Sequence, residues 1–395
     1  MDSAKRPYYI LPVIVFSQFS GTSLWFAGNA ILPDIQDDWG LSNAVAGWTS
    51  SSVQLGFIAG TFLFALLSIA DRFPAKNVFF LSALIGSIAN VLLVVAPHSL
   101  SSILVLRFLT GFFIAGIYPV GMKLAASWYT KGLGKALGYL VGALVLGTAF
   151  PHILRGFQTI NWIFILIFIS MLASFGGLLI FFLVSEGPNT KEGKSFKLGD
   201  LVNVFKVNKF RKASFGYFGH MWELYAFWTF IPLIIHEYDL VKNLNLNTSL
   251  LTFLIMSMGT LGCISGGIIA TKSGSARVAF ATLLVSGTCC LLLPLVFQLN
   301  PWIFIPFMLF WGFAVVADSP QLSTLNAQTV DPALVGTGLT IVISIGFLIS
   351  VGSIELLNFA RGFIPIQYMF WLLIPGPVLG LLAISSFLKN QTTSS

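Results

Sequence analysis

Long apolar runs recur along nearly the whole chain, separated by short stretches of polar and small residues. A helix needs about 20 residues to cross a hydrocarbon core of about 30 Å. The run WIFILIFISMLASFGGLLIFFLV at residues 162–184 is long enough, and it lacks the period-two alternation of a barrel strand. The pattern predicts an all-α membrane protein, since helices satisfy their own backbone hydrogen bonds within lipid.

Glycine, proline and polar residues divide these runs into twelve predicted transmembrane helices. The predicted spans cover residues 8–31, 43–69, 77–96, 101–122, 136–154, 162–184, 213–235, 247–270, 276–297, 302–327, 334–357 and 366–388. An even number of spans places both termini on the same side of the membrane.

The longest polar stretch, residues 186–212, divides the spans into six and six. We therefore predict an N-terminal six-helix bundle at 1–185, a cytoplasmic linker at 186–212 and a C-terminal six-helix bundle at 213–395. The two halves also share similar residues at an offset of about 200 residues, as expected for a transporter built from internal repeats. The aligned residues in spans four and ten are Gly111 with Gly312, Gly116 with Ala317, Pro119 with Pro320, and Ala126 with Ala327.

Composition and charge agree with this topology. The chain is 56% hydrophobic and only 9% charged, with a formal net charge of +7. With both termini in the cytoplasm, only Arg155, Lys242 and Arg361 among the basic residues fall outside, apart from Arg107 within a span. Membrane topology thus accounts for the positive charge, and no nucleic-acid partner is expected. We expect a monomer in a bacterial inner membrane.

Two motifs carry a resemblance to a known family. The loop LLSIADRFPAK at residues 66–76 resembles the G-x-L-A-D-R-x-G-R-K loop of the major facilitator superfamily, matching at Asp71, Arg72 and Lys76. The segment LVLRFLTGFFIAG at 104–116 is similar to that family's fourth-helix motif. The resemblance covers essentially the full length and implies two pseudo-symmetric six-helix bundles. It also implies a gating role for Asp71, Arg72 and Lys76, and a central cavity lined by helices one, four, seven and ten.

Ionisable residues deep in the predicted spans are few. They are Arg107 in span four, His220 and Glu223 in span seven, and Asp318 in span ten. Charges at this depth are costly and usually functional, and all four lie on helices that the resemblance places around the cavity. We therefore expect them to face an aqueous route.

His220 and Glu223 lie three residues apart, which puts them on one helix face. One interpretation is proton coupling, in which Glu223, His220 and Asp318 exchange protons; the other is a permanent bond that pins helix seven to a neighbour. Asp318, with Gln321 beside it, precedes Pro320, which removes a backbone donor and loosens the helix. It is either a proton or cation ligand or a packing residue.

Further polar and aromatic residues on the same helices are candidates for substrate contact or for core filling. Gln18 and Trp25 share a face of span one. The aromatic candidates, which could also stack against an organic cation, are Tyr118, Tyr217, Trp222 and Phe227. For Arg107 the resemblance implies a tie between helices four and one or a proton relay, and guanidinium also suits an anionic substrate.

Secondary active transport by alternating access is the predicted function. The carboxyls of Glu223 and Asp318 outnumber the single cation Arg107, so the expected cavity has a nominal negative charge. The favoured substrate is therefore an organic cation or amphipathic compound exported by proton antiport. Span five, however, lacks the Gly-Pro pair of antiporters. The alternatives are a small anion bound by Arg107, a divalent metal, and a membrane sensor that does not transport. No enzymatic activity, cofactor or resident metal site is expected, and Cys263, Cys289 and Cys290 are interpreted as packing residues.

Overall fold

A computed structural model describes residues 7–42, 45–129, 133–157, 159–189, 204–330 and 335–389. Within them the secondary structure is helical, and ten helices are long and apolar enough to cross a membrane. Ile10–Thr22 is a shorter apolar helix. The chain divides into two compact units, Met1–Phe196 and Lys197–Ser395. Residues 190–203 of the predicted linker lie outside the described part.

The first unit contains six helices that correspond to the first six predicted spans. They are α1 (Ile10–Thr22), α2 (Val45–Leu66), α3 (Ala75–Val91), α4a (Leu100–Ile114) with α4b (Tyr118–Trp128), α5 (Leu133–Gly156) and α6 (Trp162–Leu183). Short helices at Ala27–Ala30 and Leu32–Trp39 follow α1. The first predicted span is therefore not one continuous helix, because it breaks at residues 23–26.

The second unit has the same order of elements. They are α7 (Asn208–Lys242), α8 (Thr248–Ser273), α9 (Ser275–Phe297), α10a (Pro301–Ala314) with α10b (Ser319–Gln328), α11 (Val335–Ala360) and α12 (Pro375–Lys389). Helix α7 is longer than its predicted span and continues through Pro232 without interruption. Short helices at Ile366–Met369 and Phe370–Leu373 precede α12.

Helices four and ten break at corresponding places. Helix four breaks at residues 115–117 and helix ten at residues 315–318. Pro119 lies in the first turn of α4b, and Pro320 lies in the first turn of α10b. Proline suits that position because its missing N–H has no partner within the helix. The discontinuity predicted from Pro320 is thus confirmed in helix ten and recurs in helix four.

Close backbone approach in each unit depends on glycine. A Cβ at Gly60 of α2 would collide with the carbonyl oxygen of Phe112 in α4a, and one at Gly262 of α8 would collide with that of Phe313 in α10a. The reverse contacts place Gly111 against Val53 and Gly312 against Ile255. Small residues let membrane helices pack this closely. The repeat predicted from sequence is therefore also a repeat of helix packing.

Alanine at Gly111 or Gly312 should destabilise the protein, because the added methyl group would press on a backbone carbonyl that cannot move away. We expect a loss of about 1–3 kcal/mol for each, the usual range for overpacking. Gly138→Ala and Gly267→Ala are matched controls, since open space surrounds both positions. The measurement is thermal unfolding of purified protein in detergent, and equal melting temperatures for all four variants would contradict the packing account.

Candidate functional site

A buried ion pair joins helix α7 to the break in helix ten. His220 Nδ1 lies 2.8 Å from Asp318 Oδ1, and both side chains are 1% exposed. Among the described residues, neither Asp318 oxygen has a partner of conventional hydrogen-bond geometry, and neither does His220 Nε2. The two groups therefore lie within ion-pair distance without a conventional hydrogen bond, and they form an ion pair only when the imidazole is protonated. An ion pair taken out of water gains stability only where its attraction exceeds the desolvation cost.

Glu223 lies one turn further along α7 but has different partners. Its Oε1 accepts hydrogen bonds from Ser286 Oγ at 2.5 Å, Trp311 Nε1 at 3.2 Å and Cys290 Sγ at 3.3 Å. Ser286 and Cys290 belong to α9, and Trp311 belongs to α10a. Glu223 is 1% exposed, and these three partners are all neutral donors. His220 and Glu223 therefore have different partners, although they lie three residues apart on α7.

The carbonyls freed by the break in helix ten find other donors. Val316 O accepts from Ser319 N at 3.1 Å and from Cys263 Sγ of α8 at 3.4 Å. Cys263 and Cys290 therefore donate hydrogen bonds as well as filling space, which the sequence alone did not indicate.

Arg107 is fully buried within the first unit and is committed to structural partners. Its guanidinium donates to Leu24 O at 2.9 Å, to Trp25 O and to Asn90 Oδ1 at 3.0 Å. The two carbonyls belong to the break that follows α1. The tie between helices four and one that the resemblance implies is present, and Asn90 extends it to α6 by donating to Ser170 Oγ at 3.0 Å.

The candidate substrate residues occupy several environments. Gln18 is fully buried, and neither atom of its amide has a hydrogen-bond partner among the described residues. Trp25 packs against Phe57 with ring centroids 4.9 Å apart. Gln321 is buried on α10b, and Tyr118 is half-buried at the start of α4b.

The aromatic candidates on α7 make contacts within the second unit. Tyr217 packs beside His220, with ring centroids 5.9 Å apart. Trp222 donates its indole N–H to Leu372 O at 3.0 Å, which joins α7 to the turn before α12. Phe227 is fully buried, 4.5 Å from the ring of Trp311.

The loop candidates lie near the segment that follows α6. Arg72 is exposed, and Lys76 Nζ lies 5.6 Å from the centre of the Phe181 ring. The carboxylate of Glu186 accepts from Ala75 N at 2.6 Å and so caps the start of α3. The side chain of Asp71 lies outside the described part.

An acidic cleft of about 350 Å³ lies at the opposite end of the first unit, where α5 leads into α6. It is lined in part by Asp34, Asp37, Asp38 and Arg155. Arg155 Nη2 pairs with Asp34 Oδ1 at 2.8 Å. Burial raises the pKa of the Asp34 carboxyl, and the Arg155 guanidinium opposes part of that rise. Sequence analysis missed this cleft because its residues come from the short helix at Leu32–Trp39 and from the end of α5, which are far apart in the chain.

Comparison with known proteins agrees with this architecture. A niacin transporter of Acinetobacter baylyi, NiaP, is 33% identical over 160 residues, which cover 34% of this chain and 35% of that one. The chain thus spans about a third of the length of this relative. A bacterial homologue of the human lysosomal transporter Spinster, inward-facing and unoccupied, has a TM-score of 0.72 at 15% identity, over 98% of this chain and 99% of the other.

The human organic anion transporter MFSD10 has a TM-score of 0.73 at 14% identity, over 96% of this chain and the whole of the other. At these identities the two solved structures show the fold alone. The family model described as Major Facilitator Superfamily matches residues 14–354, well over half of the chain. The chain therefore belongs to the Major Facilitator Superfamily of transporters.

Proposed function

We propose that the protein is a proton-coupled secondary transporter that moves a small organic solute by alternating access. The observation that carries the proposal is the burial of His220, Glu223 and Asp318 at 1% exposure each, all within one six-helix unit. Charges this deep are costly to keep and are usually retained for function. Protons are the simplest ions that such groups can exchange during a transport cycle.

An organic cation or amphipathic compound exported by antiport is the favoured substrate. His220 and Asp318 compensate each other's charge when the imidazole is protonated, whereas the hydrogen-bond donors to Glu223 are neutral. An ionised Glu223 therefore leaves an uncompensated negative charge, which favours a cation. Both Nη atoms of Arg107 already donate to residues of the first unit.

A small organic anion is the second candidate. Its support is the likeness to a protein named as a niacin transporter and the shared fold with a human organic anion transporter. A divalent metal has less support, since the described residues contain no group of three or more His, Cys, Asp or Glu side chains able to hold one.

For membrane context we propose a bacterial inner membrane, a monomer, and both termini in the cytoplasm. The asymmetric placement of lysine and arginine supports the orientation. Residues Asp71, Arg72 and Lys76 are proposed to contribute to gating at the cytoplasmic end.

Replacing Glu223 with glutamine should abolish proton-driven uphill transport while solute counterflow continues, because glutamine is similar in shape but cannot take up or release a proton. The measurement is flux into sealed vesicles of purified protein under an imposed proton gradient. Glu237→Gln, near the end of the same helix, is the control and should transport normally. Uphill transport by Glu223→Gln would contradict the coupling assignment.

A panel of labelled organic cations and small organic acids in the same vesicles should separate the two substrate classes. We expect proton-driven exchange of a labelled cation. Unlabelled cations should inhibit this exchange by competition, and nicotinate should not. Competition by nicotinate alone would favour the anion candidate. Binding without flux for every compound would instead support a membrane sensor.

Substitution of Arg107 by lysine should lower the melting temperature sharply, because one ammonium group cannot reproduce the planar fork that bonds two carbonyls and Asn90. Each lost hydrogen bond to a charged group costs about 1.5–3 kcal/mol. Arg155→Lys is the control, since its ion pair is partly exposed and should contribute little. An unchanged melting temperature with a raised KM would indicate that Arg107 is a substrate ligand.

A further inference from the structure

Glu223 belongs to a closed triangle of hydrogen bonds. Ser286 Oγ donates to Glu223 Oε1, and the indole N–H of Trp311 reaches both Glu223 Oε1 at 3.2 Å and Ser286 Oγ at 3.0 Å. The hydroxyl of Ser286 can donate or accept, but the indole of Trp311 can only donate. The present arrangement therefore suits a carboxylate oxygen that accepts from every side.

Protonation of Glu223 Oε1 would rearrange this triangle. A proton arriving through water would give Oε1 an O–H bond of its own, and Ser286 would turn to accept from it. Trp311 would then lose Glu223 as a charged acceptor and keep only the neutral Ser286. Since hydrogen bonds to charged groups are about twice as strong as neutral ones, the hold of α7 on Trp311 would weaken.

The position of Trp311 gives this change a structural consequence. Trp311 lies on α10a, before the break at residues 315–318, whereas Asp318 lies at the end of that break. Helix α7 is continuous from Asn208 to Lys242. It therefore holds helix ten at two places, through Glu223 on the first segment and through His220 at the break.

The other titratable groups that act on Glu223 are few. Asp318 contributes a negative charge, and the thiols of Cys289 and Cys290 on α9 are also affected by the Glu223 carboxylate. His220 is the histidine on the same helix face, and it is paired with Asp318. The Glu223 contact and the His220 contact therefore share no hydrogen-bond partner, although the charge of Asp318 also acts on Glu223. A proton on Glu223 changes the hydrogen bonds of the first contact directly and those of the second not at all.

We infer that Ser286 and Trp311 are positioning residues that transmit the charge of Glu223 to the first segment of helix ten. In this arrangement the break at residues 315–318 is the hinge, and release of Trp311 on protonation lets α10a tilt while the His220–Asp318 pair holds the other side. The inference rests on the proposed function, because it names the device by which proton binding would drive the conformational change.

The test uses full-length protein labelled with 5-fluorotryptophan and followed by fluorine NMR in detergent. The chain has ten tryptophans, and the Trp311 resonance is identified as the one missing from Trp311→Phe, which keeps an aromatic ring against Phe227. Trp371 is the control tryptophan, since its indole N–H donates to Leu291 O at 3.1 Å and it is half exposed.

We expect the Trp311 resonance to move with pH in the parent protein and to be independent of pH in Glu223→Gln. The Trp371 resonance should behave alike in both. A Trp311 resonance that does not titrate, or that titrates equally in Glu223→Gln, would overturn the inference.

Transport provides a second readout with paired variants. Ser286→Ala should lower the ratio of proton-driven accumulation to counterflow by at least about tenfold, because one hydrogen bond to a charged group is lost, and Ser286→Thr should restore the ratio. An unchanged ratio in Ser286→Ala would count against the inference. If the parent protein showed no proton-driven flux while Trp311 still titrated with Glu223, the proposed function would fail and the link between Glu223 and Trp311 would stand.

Discussion

Every break in a buried helix frees backbone carbonyls that need a donor, and this constraint organises both units. Arg107 donates to the carbonyls of Leu24 and Trp25 at the break after α1. Cys263 donates to Val316 O at the break in helix ten, and Trp222 donates to Leu372 O before α12. Because lipid offers no hydrogen bonds, side chains from neighbouring helices must supply them. The position of each break thus determines which neighbouring helix is hydrogen-bonded to it.

The two units share a backbone plan but use charge differently. The same glycine–carbonyl contacts join helices two and four and helices eight and ten. In the first unit the buried charge of Arg107 bonds to the backbone. Met308 occupies the equivalent place in α10a, and the second unit instead buries His220, Glu223 and Asp318. The hydrogen bonds of Arg107 stabilise the contact between helix four and the break after α1. The buried residues of the second unit are instead groups whose protonation can change.

Hydrogen-bond partners also separate the roles of neighbouring residues on α7. His220 lies against the carboxyl of Asp318, so removing His220 leaves that buried carboxyl without its partner, which is destabilising. Glu223 has three neutral donors, so neutralising it weakens contacts without leaving an isolated charge. A group of the second kind can change protonation without leaving an isolated charge, which is what the proposed proton coupling requires.

The sequence by itself determined the membrane class, the order of helices and the repeat, because these follow from apolar run length and from recurring glycine and proline. The family was indicated by the resemblance of the motifs at residues 66–76 and 104–116. The sequence also identified Arg107, His220, Glu223 and Asp318, since ionisable residues are rare in apolar segments. Only the tertiary structure decided their partners. Asp318 is about one hundred residues from His220 in the chain, and Ser286, Cys290 and Trp311 look like ordinary helix residues until folding surrounds Glu223 with them. Side-chain pairing depends on how helices rotate and pack, and hydropathy carries no information about that rotation.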